Sequence, residues 1–331
     1  MNITVVGAGA WGTALAISLA GQHRVTLWAR DAEQIASMRE SGCNLRYLPD
    51  ARLPDGLELS SDFSAALTDA ELVILAVPAS ALRTMLQKLV QTGLAEYGVV
   101  WLCKGFEAQT TLLPHQVAAQ VLPSDVRCGA LSGPSFAQEV ALGLPTALVL
   151  ASDDEAFAQR TAHALHHFRL RIYASNDLTG VEIGGAVKNV MAIAAGVCDG
   201  MKLGNNARAA LMTRGLAEIT RLGLKLGGRQ ETLSGLSGAG DLILTCTGDL
   251  SRNRRVGLML AQNLSLEEIL STLGHVAEGV YAVREVYHLA QREGVDMPIC
   301  EAVYRVLYEH VPTHEMVATL LNRTANLEFN H

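Results

Sequence analysis

"ITVVGAGAWGTALA", Ile3–Ala16, decides the fold. Its opening run, "ITVVG" (3–7), is β-branched and apolar apart from one threonine, as a strand buried on both faces should be. Gly7, Gly9 and Gly12 then fall in a G-x-G-x-x-G spacing, and a helical pattern follows from Ala10 to Ala20. That glycine spacing alone is weak. A strand directly before it, a helix directly after it and a second strand, "VTLW" (25–28), about a dozen residues on give it the context of a dinucleotide-binding turn. The glycines permit a tight turn and let the backbone approach a pyrophosphate. The helix start meets that anion with unpaired N–H groups and the positive end of its dipole.

Outward from this turn the same alternation continues. "LVILAV" (72–77), ended by Pro78, "VVWLC" (99–103), "CGAL" (128–131), "TALVL" (146–150) and "LRIYA" (170–174) read as strands. Helical patterns lie between most of them, including Ala81–Val90 and Thr111–Val121. Strands alternating with helices imply βαβ units and a mostly parallel sheet. The basic, proline-containing stretch "NLRYLPDARLPDG" (44–56) reads as an inserted loop. Near residue 178 the pattern changes. From "LTGVEIGGAVKNVMAIAAGV" onward helical patterns run to the end, among them Leu266–Leu273, Tyr281–Arg292 and Ile299–His310. The expected organisation is an α/β Rossmann N-terminal domain over 1–177 and an all-α C-terminal domain over 178–331.

Composition narrows the function. Of 331 residues, 49% are hydrophobic and 18% charged, which fits a globular chain of two domains and not a disordered one. The net charge of −7 argues against nucleic-acid binding, which calls for a broad basic surface. No apolar run approaches the roughly 20 residues of a membrane span, and "MNITVVGAGAWG" reads as strand and turn, not as a leader peptide. Cys43, Cys103, Cys128, Cys198, Cys246 and Cys300 lie at least 25 residues apart, with no CxxC and no zinc spacing. They read as thiols of a reducing, cytoplasmic compartment. No metal is expected. His163 and His167, four apart on a helical pattern, read as an exposed polar face.

A dinucleotide fold implies hydride transfer, and a ketone receiving hydride needs a proton donor. Two lysines qualify. Lys104 follows the strand "VVWLC" directly. Lys188 sits inside "GGAVKNVMAIAAGV", where small and apolar neighbours would bury it and lower its pKa. The competing reading is a stem that snorkels to solvent; Gly184-Gly185 before it and Asn189 after it favour a ligand close by. Asp241, behind the glycines of "GLSGAGD", could pair with a lysine across the site. Ser251 reads as the N-cap of the helix "RNRRVGLMLAQ". An arginine in a first helical turn opposes the dipole unless an anion is present. With a phosphate there, the N–H groups, the Ser251 hydroxyl and a guanidinium fork converge on it. Arg252 and Asn253 are chosen for that role, with Arg254 and Arg255 read as a solvated face. At the end of the second strand, Arg30 stands where a 2′-phosphate of NADP would be selected, with Asp31 beside it. NADP(H) is therefore expected, with NAD(H) tolerated.

These motifs together are specific. "VVGAGAWGTALA", "LVILAVP", "CKGFE", "LSGPSFAQEV", "GGAVKNVMAIAAGV", "GLSGAGDLILTCTGDLSRNRRVG" and "VAEGV", in this order, make the chain resemble the bacterial-type NAD(P)-dependent glycerol-3-phosphate dehydrogenases over nearly its whole length. The resemblance implies reversible reduction of dihydroxyacetone phosphate to sn-glycerol 3-phosphate, the precursor of glycerophospholipids, by a homodimer. It implies Lys188 as proton acceptor in the oxidative direction. Lys104, Gly133, Ser135, Lys188, Asp241, Ser251, Arg252 and Asn253 would contact the three-carbon phosphate. Gly7, Gly9, Ala10, Trp11, Gly12, Arg30, Lys104, Ala137, Arg252, Val276 and Glu278 would contact the cofactor. Ser135 stands where a threonine occurs in relatives, and either offers a hydroxyl. The alternatives are a 6-phosphogluconate or β-hydroxyacid type of dehydrogenase, which shares the architecture and the helix-borne lysine, and a dinucleotide sensor without turnover.

Overall fold

Each predicted strand forms, and three more join them. The computed structural model describes residues 1–93, 98–273 and 278–322. In chain order it runs β1 (Asn2–Val6), α1 (Ala10–Leu19), β2 (Arg24–Trp28), α2 (Ala32–Ser41), β3 (Cys43–Asn44), β4 (Leu48–Arg52), β5 (Leu57–Ser60), α3 (Phe63–Leu67), β6 (Leu72–Leu75), α4 (Ala79–Gln91), β7 (Gly98–Trp101), α5 (Pro114–Val121), β8 (Cys128–Ser132), α6 (Ala137–Ala141), β9 (Thr146–Ala151), α7 (Glu155–Leu165) and β10 (Leu170–Ser175). Beyond β10 the described residues form helices only: α8 (Leu178–Gly200), α9 (Asn205–Lys225), α10 (Gln230–Ser234), a π-helical turn (Leu236–Gly240), α11 (Asp241–Thr247), α12 (Arg252–Leu260), α13 (Leu266–Leu273), α14 (Glu278–Glu293), α15 (Pro298–Tyr308) and α16 (Thr313–Leu321).

Eight strands make one sheet in the order β10-β9-β8-β7-β6-β1-β2-β5. All pairs are parallel except β8–β9, whose register sets Leu131 opposite Leu150. The chain leaves β1 toward β2 and β5 on one side and returns to β6 on the other. A crevice therefore opens at the carboxyl ends of β1 and β6, where such sheets bind ligands. Val5, Val6, Ile74 and Leu75 are fully buried, as strands covered by helices on both faces require.

Two boundaries differ from the sequence reading. The stretch 44–56 is not a plain loop: β3 and β4 pair antiparallel, and Leu48 and Ala51 bury against Ala14 of α1 and Val140 of α6. The helix expected from Thr111 begins at Pro114, because Thr111 has φ +56° and proline is suited to a helix's first position. The edge strand β5 was passed over, although "LELS" alternates and Leu57 is buried.

α8 organises the helical half. From Val181 to Ala195 every residue is buried, as a helix enclosed on all sides must be. By length and composition it could cross a bilayer, yet 89% of its apolar window is buried inside the protein. α12 crosses it at near-backbone contact: a Cβ on Gly257 would lie 2.0 Å from the Ile193 carbonyl oxygen, and one on Gly196 2.0 Å from that of Arg254. Glu182 of α8 ties this half to the sheet. Its carboxylate accepts from Trp101 Nε1 at 2.8 Å in β7, and from the backbone N–H and Nδ1 of His115 in α5 at 3.0 and 2.6 Å.

Candidate active site

The glycine turn is shaped for a ligand at one position and for the protein at two. Gly7 has φ +117°, and a Cβ there would lie 2.4 Å from the Ala76 carbonyl oxygen at the end of β6. A Cβ on Gly12 would lie 2.0 Å from the Gly7 oxygen, so this glycine brings α1 onto β1. Around Gly9 nothing lies within 4 Å of where a Cβ would stand, and α1 has no side-chain cap. That open space over an uncapped helix start is what a pyrophosphate needs. Ala10 and Trp11 begin α1, and Trp11 packs with Ala137 of α6 on the cluster that holds Leu48 and Val140. At the end of β2, Arg30 is exposed. Asp31 beside it is committed elsewhere: Oδ1 caps α2 by accepting from the N–H groups of Glu33 and Gln34 at 3.0 and 3.2 Å.

The carboxyl ends of β7 and β8 supply the next residues. Lys104 follows β7, and its ammonium donates to Asp241 Oδ2 at 2.6 Å and to the Gly133 carbonyl at 3.2 Å. Gly133 follows β8 with φ +136°, and Ser135 Oγ also donates to its oxygen, at 3.1 Å. Lys188 arrives from the opposite wall, midway along α8. Its Nζ donates to Asp241 Oδ1 and, at 2.9 Å, to Thr245 Oγ1 of α11. One carboxylate, 1% exposed, thus bridges both lysines. Among the described residues each ammonium keeps one N–H without a protein acceptor.

Local sequence explains the bridge. The π-helical turn before Asp241 pushes that residue into the site, as single π turns at functional sites do. Gly184 and Gly185 act here on the protein rather than on a ligand, contrary to the sequence reading. A Cβ on Gly184 would meet the Ser237 carbonyl oxygen at 2.5 Å, and one on Gly185 would press the Lys104 stem at 3.4 Å. Burial lowers the Lys188 pKa to about 8, with Lys104 helping and Asp241 opposing. Burial raises Glu278 above the usual carboxylate range, while the positive charges of Arg252, Lys104 and Lys188 pull it back.

The start of α12 closes the site. Ser251 is the N-cap, as read from sequence, and its Oγ accepts from the Arg254 N–H at 3.2 Å. Its hydroxyl proton stays available to an anion. Arg252 is exposed. Asn253 is half-buried with its amide engaged: Nδ2 donates to Asn189 Oδ1 at 2.9 Å and Oδ1 accepts from the Gly279 N–H at 3.2 Å. Val276 lies outside the described residues. Arg254 is not on a solvated face. Its side chain is 13% exposed and pairs with Asp199 and Asp249. Arg255 is exposed, as expected. His163 lies in the last turn of α7 whereas His167 lies past its end, bonded to Ser18 Oγ at 2.9 Å, so the two share no helix face. Among the described residues no group of three or more His, Cys, Asp or Glu could hold a metal ion. Thr245 was missed in the sequence. Four residues after Asp241, it shares a helix face with it, and that spacing was the available signal.

A cofactor turn at the strands' carboxyl ends, a buried lysine pair on one carboxylate and a serine-capped helix start make up the candidate site. Comparison with known proteins agrees. The family models described as NAD-dependent glycerol-3-phosphate dehydrogenase N-terminus and C-terminus match residues 2–158 and 177–318. The chain belongs to the NAD-dependent glycerol-3-phosphate dehydrogenase family. It is 60% identical to a glycerol-3-phosphate dehydrogenase (NAD(P)+) of Thiobacillus denitrificans, over 99% of this chain and 100% of the relative. It is 56% identical to that of Nitrosomonas eutropha, over 99% of each. The crystal structure of glycerol-3-phosphate dehydrogenase from Coxiella burnetii superposes with a TM-score of 0.93 at 42% identity, over 97% of this chain and 99% of that one. The NAD(P) cofactor expected from the glycine turn agrees with this membership.

Proposed function

We propose that this chain catalyses the reversible NAD(P)H-dependent reduction of dihydroxyacetone phosphate to sn-glycerol 3-phosphate, supplying glycerophospholipid synthesis. The observation that carries this reading is the Lys104–Asp241–Lys188 bridge set between the strands' carboxyl ends and the start of α12. Bound NAD(P)H would supply the hydride that the carbonyl carbon receives. Gly9 and the free N–H groups at Ala10 and the start of α1 would hold its pyrophosphate, in a turn that Gly7 and Gly12 make possible, and Ala137 and Glu278 would flank the rest.

The chain's residues perform the proton half of the reaction. As the carbonyl oxygen gains charge, Lys188 donates a proton to it and becomes neutral. In the reverse direction neutral Lys188 takes the hydroxyl proton. A value near 8 leaves both forms accessible. Asp241 and Thr245 fix the ammonium by two hydrogen bonds, so its remaining N–H points at the substrate. Lys104 adds a second donor to the developing charge. Ser251, Arg252 and the free N–H groups of α12 hold the phosphate, while Ser135 and the Gly133 backbone flank the triose. Asn253 acts from behind, by keeping α12 joined to α8 and α14. The phosphate grip fixes the carbonyl by binding energy remote from the reacting bond.

Arg30, with Asp31 withdrawn to its cap, favours NADP(H) over NAD(H) in this reading. Arg30→Ala should raise KM for NADPH and leave KM for NADH unchanged; an unchanged NADPH value rejects the role. The reading also divides the chain at 177/178 and includes a homodimer and a cytoplasmic location, as the resemblance implies. Oxidation of NADPH, then NADH, by the purified protein with dihydroxyacetone phosphate tests the activity directly. No turnover with either would reject it.

A further inference from the structure

We propose that Asp199 is a positioning residue: through Arg254 it sets where the substrate's phosphate sits relative to Lys188. This rests on the reading that the start of α12 binds the phosphate. The geometry begins on α8. Asp199 stands three helical turns after Lys188, on the same face, roughly 16 Å along the axis. Its Oδ2 accepts from Arg254 Nε and Nη2, both at 2.8 Å. Arg208 of α9 holds the same carboxylate from the other side, with Nη1 at 3.2 Å from each oxygen.

Arg254 gathers every part of the phosphate site's scaffold. Nη1 donates to Asp249 Oδ1 at 2.9 Å, in the loop that leads into α12. Its backbone N–H meets the Ser251 cap. With Nε and Nη2 on Asp199 and Nη1 on Asp249, this guanidinium is committed to carboxylates of the protein's own scaffold. The two bonds to Asp199 tie α12 to α8, and the one to the exposed Asp249 ties in the loop before it. The glycine contact between α12 and α8 fixes their distance, since a Cβ on Gly257 would collide with the Ile193 carbonyl. Polar bonds add to that contact: Asn253 Nδ2 donates to Asn189 Oδ1, next to Lys188, and the Arg254 guanidinium donates to Asp199 farther along α8. The Asp199–Arg254 fork is the charged one of these two ties, and it acts from the helix that carries the proton donor. Of the arginines in "SRNRR", Arg252 grips and Arg254 positions.

The test uses Asp199→Asn and Arg254→Lys, the second because an ammonium keeps the charge but loses the two-nitrogen fork. Each is assayed with dihydroxyacetone phosphate and with dihydroxyacetone, which lacks the phosphate, beside Arg252→Ala. The expected result is a KM for dihydroxyacetone phosphate raised at least about tenfold, with kcat within about threefold and the rate on dihydroxyacetone unchanged. If Arg252→Ala raises that KM and neither positioning variant does, the role of Asp199 is overturned while the phosphate reading stands. If Arg252→Ala leaves it unchanged, the phosphate reading itself fails. Equal losses on both substrates would mark Asp199 as merely structural and also overturn the proposal. Should Asp199→Asn not fold, Arg254→Lys decides alone.

Discussion

At the scale of residues, the proton donor's environment makes two predictions. Lys188→Ala should lower kcat by about 10²–10⁴-fold with the fold intact, the range for loss of an acid–base group. The pH dependence has a definite sign. The oxidative direction needs neutral Lys188, so its rate should rise with pH and level off above about 8; the reductive direction should fall above about 8. Asp241→Asn removes the charge that holds this pKa up and should move both limbs to lower pH. Lys104→Gln removes the charge that depresses it and should move them to higher pH. Profiles of kcat for these variants check the signs. The glycine turn makes a third. Gly9→Ala enters open space at an ordinary backbone conformation (φ −75°), so thermal stability should hold while KM for NADPH rises. A loss of Tm without a change in KM would contradict the assignment.

Single residues were unevenly legible. The burial of Lys188 was, because it stands inside a helical run of small and apolar residues. The Ser251 cap was, because serine before a helical pattern is a local signal. Arg254 was not: its partner Asp199 lies 55 residues away, and a charge pattern cannot say which of three neighbouring arginines is buried. The purpose of Gly184 and Gly185 was likewise set by what packs on them, a π-helical turn and a lysine stem from elsewhere in the chain.

At the scale of elements, α8 and α12 form the unit that matters most. They meet through paired glycines, so their spacing tolerates no added atom. Gly257→Ala should destabilise the protein by at least about 1–3 kcal/mol, the cost of overpacking, since the obstructing atoms are backbone. It should also raise KM for dihydroxyacetone phosphate, because relief can come only by moving α12. Denaturant melts alongside steady-state kinetics check both. The strands were legible because buried parallel strands are continuous apolar runs. The β3–β4 ribbon was not, because its buried apolar residues, Leu48 and Ala51, stand among prolines and charges, and the buried Asn44 gives no apolar signal. The start of α5 shifted by one turn because the proline rule and the backbone at Thr111 outweigh the helical periodicity.

At the scale of the whole molecule, buried carboxylates join its parts. Glu182 links α8 to β7 and α5. Glu218 of α9 caps α15, accepting from the N–H groups of Ile299 and Cys300 at 2.7 and 3.2 Å. Burial raises the Glu218 pKa from 4.5 to about 7. A carboxyl whose folded value lies above its unfolded one keeps a proton that the unfolded chain has already released. Its contribution to stability is therefore full below about 4.5 and declines as pH rises to about 7. Glu218→Gln should remove that part of the pH slope, measured as ΔG of unfolding from denaturant titrations at a series of pH values; an unaltered slope would contradict it. The two-part architecture was visible where strand patterns stop near residue 178. How the parts close on one crevice was not, since Asp241 reaches Lys104 across 137 residues.

The most direct measurement is a crystal structure of the protein with NADP+ and sn-glycerol 3-phosphate. The account predicts the phosphate at the start of α12, bonded to Ser251 and Arg252, and the secondary hydroxyl oxygen about 2.6–3.2 Å from Lys188 Nζ. A phosphate bound away from α12, or a hydroxyl out of reach of Lys188, would contradict it.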